Sequence, residues 1–152
     1  MTPIHIVIPG EPVAKGMPRV VPVYGRDKKP VLRPDGRVLT RVYTPKVSAD
    51  WMLLVKRIGQ DAIEKPLEGP VSLNVEAWFT LPKSRHRKRV PTVASWKRTK
   101  PDVKNILAGI EDGLKGVAWL DDNQVVHVLV MKFYCAQEDN RPRTEIVIEE
   151  LT

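Results

Sequence analysis

KPDVKNILAGIEDGLKGVAWLDDNQVV, Lys100 to Val126, carries in order a helix start, an apolar stripe, a helix stop and an acidic turn. Asp102 after Pro101 reads as an N-cap, because a short carboxylate can satisfy the free amides of a first turn. Ile106, Leu107, Ile110 and Leu114 then recur on one helical face, and Gly116 supplies the stop. Gly109 and Gly113 weaken this helix, since glycine has more backbone freedom to lose than any other residue. Asp121-Asp122 sits in the turn that follows, and Val125 to Phe133 alternates as a β-branched strand.

Outward from this unit the punctuation is clear. Ile4 to Ile8 predicts a strand closed by Pro9-Gly10. Six prolines between Glu11 and Pro45 exclude a long helix and predict a loop or an irregular hairpin. Ser48 is a good N-cap for a helix reaching about Ala62, with Leu54, Val55, Ile58 and Ala62 facing inward. Val71, Leu73, Val75, Ala77, Phe79 and Leu81 alternate with Ser72, Asn74, Glu76, Trp78 and Thr80, the period of a strand with one buried face. Residues 82–100 show no apolar periodicity and read as a mobile loop. Thr144 to Ile148 forms a last short strand after a turn at Glu138 to Arg143. The order predicts one α+β domain over residues 1–152, with a mixed β-sheet and two helices.

Composition narrows the function. A chain of 152 residues buries about two thirds of its unfolded surface, enough for a core without staples. One cysteine, Cys135, excludes an internal disulfide and a cysteine-based metal framework, which points to a reducing, cytoplasmic setting. No long apolar run argues for a membrane or a secretory leader. His5, His86 and His127 lack partner motifs, and no phosphate-cradling glycine loop occurs. The net charge of +7 is segregated: residues 15–46 hold nine Lys/Arg against two acids and residues 83–100 hold eight against none, so the remainder is net negative. Two basic segments, loops at about 11–46 and 82–100, imply a polyanionic partner. Trp96 inside the second could stack a base, so an RNA-binding module is one reading.

Phosphodiester hydrolysis uses a divalent cation to neutralise phosphate and activate water, and Mg²⁺ prefers a few carboxylate oxygens. Asp102 and Asp121-Asp122 are the candidates, yet a helix between them separates them by roughly 20 Å. Three arrangements would bring them together: a loop folding Asp102 over the helix, a strand carrying the aspartate pair back past the helix start, or a second subunit completing the site.

Lys100 to Val126 resembles the signature of RusA-type Holliday-junction resolvases, approximately K-P-D-x-D-N-L-x-K followed by W-x-D-D-x-Q-V. Pro9 to Arg19, Thr44 to Lys46 and Lys132 extend the resemblance over most of the chain. It implies a homodimeric, Mg²⁺-dependent endodeoxyribonuclease (Mn²⁺ a possible substitute) that cuts four-way junction DNA in recombination and repair, of a kind often encoded by prophages. Position by position it implies that Asp102, Asp122 and Asp121 hold the metal and act with Lys104 in catalysis, supported by Asn105 and Asp112. Contacts to DNA would fall to Lys15, Arg19, Lys83, Arg85, Arg87, Lys88, Arg89, Lys97, Arg98, Lys100 and Lys132. Two positions depart: Lys104 stands where the family has a second aspartate, and Ala108 where it has a lysine. One helical turn separates them, so the Lys104 ammonium can reach towards the place of the family lysine. A cation in place of a carboxylate weakens a metal site, which makes a catalytically impaired junction-binding protein the alternative reading.

Overall fold

The computed structural model describes residues 2–152. In chain order the elements are β1 (Ile4–Pro9), β2 (Arg19–Pro22), β3 (Thr40–Tyr43), α1 (Lys46–Ala62), β4 (Val71–Phe79), β5 (Ser95–Trp96), α2 (Val103–Leu114), β6 (Val125–Tyr134) and β7 (Arg143–Glu150). Five strands form a mixed sheet in the order β1-β7-β4-β6-β5, in which only β4 and β6 are parallel. The long connection between those two carries the second basic segment and α2. The expected α+β domain with a mixed sheet and two helices is therefore what the chain forms. No helix among the described residues is long and apolar enough to cross a membrane.

The alternation read in β4 sets the layers. Val71, Leu73, Val75, Ala77 and Phe79 are buried with Ile6, Ile8, Ile146 and Ile148, and Ile106, Ile110 and Leu114 of α2 complete the same core. The other residues of β4 lie outside that cluster, on the face away from the helices. The proline-rich segment is an irregular hairpin: β2 pairs β3, and isolated bridges join Tyr24 to Pro30 and Leu32 to Val38.

Helix α1 differs from expectation in two respects. Pro45 occupies the N-cap position, and Ser48 lies inside the first turn. The Ser48 hydroxyl accepts from the Gly16 amide at 2.9 Å and donates to the Ala14 carbonyl at 3.1 Å, tying the first basic segment to the helix. The buried stripe is Ser48, Trp51, Val55 and Gly59, with Leu54 and Ile58 half-buried and Ala62 exposed. Close packing on α2 rotates the helix this way. A side chain at Gly113 would meet Val55 Cγ1 at 2.9 Å and the Met52 carbonyl oxygen at 3.0 Å, and one at Gly59 would meet Leu114 at 2.7 Å. The glycines that cost α2 intrinsic helix propensity are thus what let two helices approach closely.

Gly113→Ala should lower stability by about 1–3 kcal/mol through overpacking against backbone that cannot yield, a fall in Tm of roughly 3–10 °C on thermal denaturation. An unchanged or raised Tm would show that the helices are not held at this separation.

Candidate active site and nucleic-acid interface

The two ends of α2 are fixed by opposite ends of β6. Asp122, just before the strand, accepts from the Lys115 ammonium at 3.0 Å, and Lys115 is the C-cap of α2. Lys132, late in the strand, donates to the carbonyls of Thr99 and Pro101 at 2.7 and 2.6 Å, just ahead of the helix. β6 therefore runs back along α2 in the opposite direction. It delivers Lys132, not the aspartate pair, to the neighbourhood of Asp102.

At the helix start Asp102 is exposed in the N-cap position and its side chain makes no capping bond. Lys104 is exposed in the first turn, and Asn105 accepts from the Lys15 amide through its main-chain carbonyl at 2.8 Å. Beside them Lys97 donates to Thr99 Oγ1 at 2.6 Å and to the Tyr134 hydroxyl at 3.3 Å, and the Arg85 guanidinium lies 4.7 Å over the Tyr134 ring. Hydrogen bonding to Thr99, reinforced by Lys97 and Arg85 against the effect of burial, holds the Tyr134 phenol below its ordinary pKa.

At the helix end WLDDNQ is a self-capped turn. The Asp121 carboxylate accepts from the Asn123 amide at 2.9 Å. Gln124 Oε1 accepts from the amides of Leu120 and Asp121, while its Nε2 donates to the Leu67 and Gly69 carbonyls. Trp119 is fully buried and donates from Nε1 to Asp122 at 3.0 Å. Burial raises the Asp122 pKa, but the hydrogen bonds from Trp119 and Lys115 outweigh it and leave the carboxyl below its ordinary value. Lys115 is held above its ordinary value, first by its hydrogen bond to Asp122. Glu111 is pushed up, mainly by burial and then by the charges of Asp122 and Asp112. Asp112 is paired with Lys15. Lys115 and Trp119 as partners of a site carboxylate could not be read from sequence, since only the closed turn brings them to it.

Helix α2 has 12 residues, about 18 Å of rise, so the two ends do not meet within one chain. No three His, Cys, Asp or Glu side chains converge on a common point among the described residues. Of the three arrangements left open by the sequence, neither a folded-over loop nor a returning strand brings Asp102 to Asp122.

The basic side chains divide in two. Lys15, Lys132, Lys97 and Arg85 are engaged by Asp112, main-chain carbonyls or Tyr134, whereas Arg19, Lys83, Arg87, Lys88, Arg89, Arg98 and Lys100 are exposed. Residues 82–100 are more ordered than a plain loop. Gln137 accepts from the amides of Arg87 and Thr92 and donates to the Arg87 carbonyl, a short 3-10 turn forms at Lys83–Arg85, and β5 pairs with the end of β6. Side-chain bonds to a distant glutamine leave no periodic signal.

A mixed sheet with one helical layer, carboxylates at both ends of one helix and a run of exposed cations between Lys83 and Lys100 are the features from which the site is built. The chain matches the model of the endodeoxyribonuclease RusA family over residues 9–149, nearly its full length, and belongs to that family. It is also 32% identical over 155 residues to the uncharacterized protein YqaN of Bacillus subtilis (strain 168), covering 98% of this chain and 97% of that one.

A depressed carboxyl pKa contributes stability that is complete above the unfolded value and lost as pH falls through the folded one. Asp122→Asn should therefore be less stable than the parent at neutral pH, with the difference closing as urea titrations are taken below the ordinary carboxylate value of 3.8. A difference that stays constant into acid would show that the Lys115 and Trp119 contacts do not set the charge state of Asp122.

Proposed function

We propose that the protein is a Mg²⁺-dependent endodeoxyribonuclease that resolves four-way DNA junctions as a homodimer, each active site combining Asp102 of one copy with Asp122 of the other. The observation that carries this reading is the open edge of β6. β5 covers only Phe133 and Tyr134, and among the described residues the edge is unpaired from Val126 to Met131, with Val126, Val128 and Leu129 exposed along it. A long apolar edge invites strand pairing. Pairing of two β6 edges across a two-fold axis is antiparallel, and because α2 runs against β6 it sets two α2 helices side by side in opposite directions. The start of one then lies beside the end of the other. Val103 and Leu120, exposed near those ends, favour burial in the same contact.

Within one chain the carboxylates do not fit a magnesium ion, for the reason given by their separation. Across two copies the donors would be hard carboxylate oxygens, and the ion they held would neutralise phosphate and activate water. Two sites related by a two-fold axis match paired cuts in a two-fold junction. The exposed cations on residues 82–100 and Arg19 are suited to the phosphates of the arms. Junction affinity should accordingly drop about 10³-fold between about 50 and 200 mM salt if some six phosphates are contacted, measured by fluorescence anisotropy. A flat salt dependence would remove the basic segments from the interface.

With Mg²⁺ or Mn²⁺ the protein should nick a synthetic four-way junction in opposed strands, and Asp102→Asn and Asp122→Asn should each reduce this by roughly 100-fold or more. A hybrid dimer carrying one substitution per copy holds one site with both changes and one with neither. It should therefore regain nicking of a single strand. A silent hybrid made from two chains that dimerise would overturn the shared site.

A second reading rests on Lys104, exposed in the first turn of α2 two residues from Asp102. If the parent binds junctions without cutting them and Lys104→Asp cuts, the natural protein is a junction-binding relative with an impaired site.

A further inference from the structure

Three aromatic rings and a guanidinium cross the sheet on the face away from the helices. Arg143 of β7 lies 4.9 Å over Trp78 of β4, Trp78 stacks on Phe133 of β6 at 4.4 Å and 21°, and Phe133 stacks on Trp96 of β5 at 4.6 Å and 29°. The interior of the ladder is held in place. Trp78 Nε1 donates to Glu76, and each ring sits opposite the next in the strand register. The last ring is different, because Trp96 is 68% exposed and, among the described residues, no other ring or cation stacks on it. A large apolar ring ends in water with its plane already fixed by Phe133, so a flat partner would find it oriented in advance.

Charge around the ring selects the partner. Lys97, Arg98 and Lys100 follow Trp96, Arg85 binds the neighbouring Ser95, and no acidic residue lies between positions 83 and 100. A flat, apolar, neutral ring such as an aromatic side chain would satisfy the stacking and leave the cations unmatched. A nucleotide matches both, with its base on the ring and its phosphates on the cations. A base inside a duplex has both faces covered, so the nucleotide must be unpaired.

We infer that Trp96 is a stacking site for an unpaired nucleobase of the DNA substrate, which makes the protein favour branched or single-stranded DNA over continuous duplex. This rests on the DNA-handling role proposed above. Position supports it. Trp96 precedes Asp102 by six residues, at most about 21 Å of chain, and the intervening path is fixed where the Lys97 amide donates to the Lys132 carbonyl and Lys132 holds Thr99 and Pro101. A base drawn out of its duplex here stacks on a ring at most about 21 Å of chain from the aspartate.

The test measures anisotropy of labelled DNA of equal length as a four-way junction, a continuous duplex and a single strand, with a 2-aminopurine reporter in the single strand. Trp96→Ala should weaken single-strand binding roughly tenfold and abolish 2-aminopurine quenching, leaving duplex binding within about twofold. Trp96→Phe should retain most of both, and Trp96→Thr, which places a residue of high strand propensity in β5, should repeat the alanine result and guards against a folding defect. Equal loss on all three DNAs, or no loss on any, overturns the stacking site while leaving DNA binding intact. Absence of binding by the parent to any DNA overturns the DNA-handling role itself, and with it this site. A matching RNA strand that binds in a Trp96-dependent way where DNA does not would assign the site to RNA instead.

Discussion

The return from α2 to β6 governs the rest of the molecule, and Trp119 closes it. Its ring is fully buried, its Nε1 donates to Asp122, its carbonyl accepts from Gly116, and bridges join it to Leu67 and Lys115. Gly116 has a φ of +75°, a conformation that admits this reversal without strain only for glycine. With the turn fixed, β6 leaves in register with β4 and antiparallel to α2. Lys132 then reaches the carbonyls ahead of the helix, and one open edge and one helix come to share a line.

Helix α2 carries its charges against its own dipole. A cation, Lys104, stands in the first turn where the field favours anions, and Glu111 and Asp112 stand near the last turn where it favours cations. Each such placement costs about 0.3–1 kcal/mol when exposed. Lys115 and the pairing of Lys15 with Asp112 offset part of this at the C-terminal end. The first turn has no such compensation beyond Asp102 at the cap. Local rules broken at both ends of one element are what a site at those ends, as proposed above, would lead one to expect.

Periodicity made the fold legible. The β4 alternation, the α2 stripe and the Gly116 stop each arise from contacts a few residues apart, and each agrees with the structure. The face of α1 is legible only in part: Val55, Leu54 and Ile58 do turn towards the core, while the burial of Trp51 and Gly59 depends on a neighbouring helix and leaves no periodic signal. A hydroxyl near a helix start is usually a cap, so Ser48 reads as one, while its partners Gly16 and Ala14 lie over 30 residues away. The motif aspartates were legible, but their separation by a full helix could be computed from sequence without choosing among its remedies. The aromatic ladder left no trace, since Trp78, Trp96 and Phe133 come from three strands whose neighbour order is not their chain order.

In the proposed dimer the separation of the aspartates becomes a useful constraint. If each site takes one end of α2 from one copy and the other end from its partner, the two sites lie about one helix length apart, near 18 Å. That spacing is then set by the 12 residues of a buried helix, locked against α1 by Gly109 and Gly113, and not by mobile side chains. In that dimer a single chain would hold half of each site and could not act on a stray duplex. Cutting would require the assembled two-fold pair, whose symmetry is that of a four-way junction. The same helix would thus serve as core element, as carrier of both halves of the site and as the ruler between two cuts.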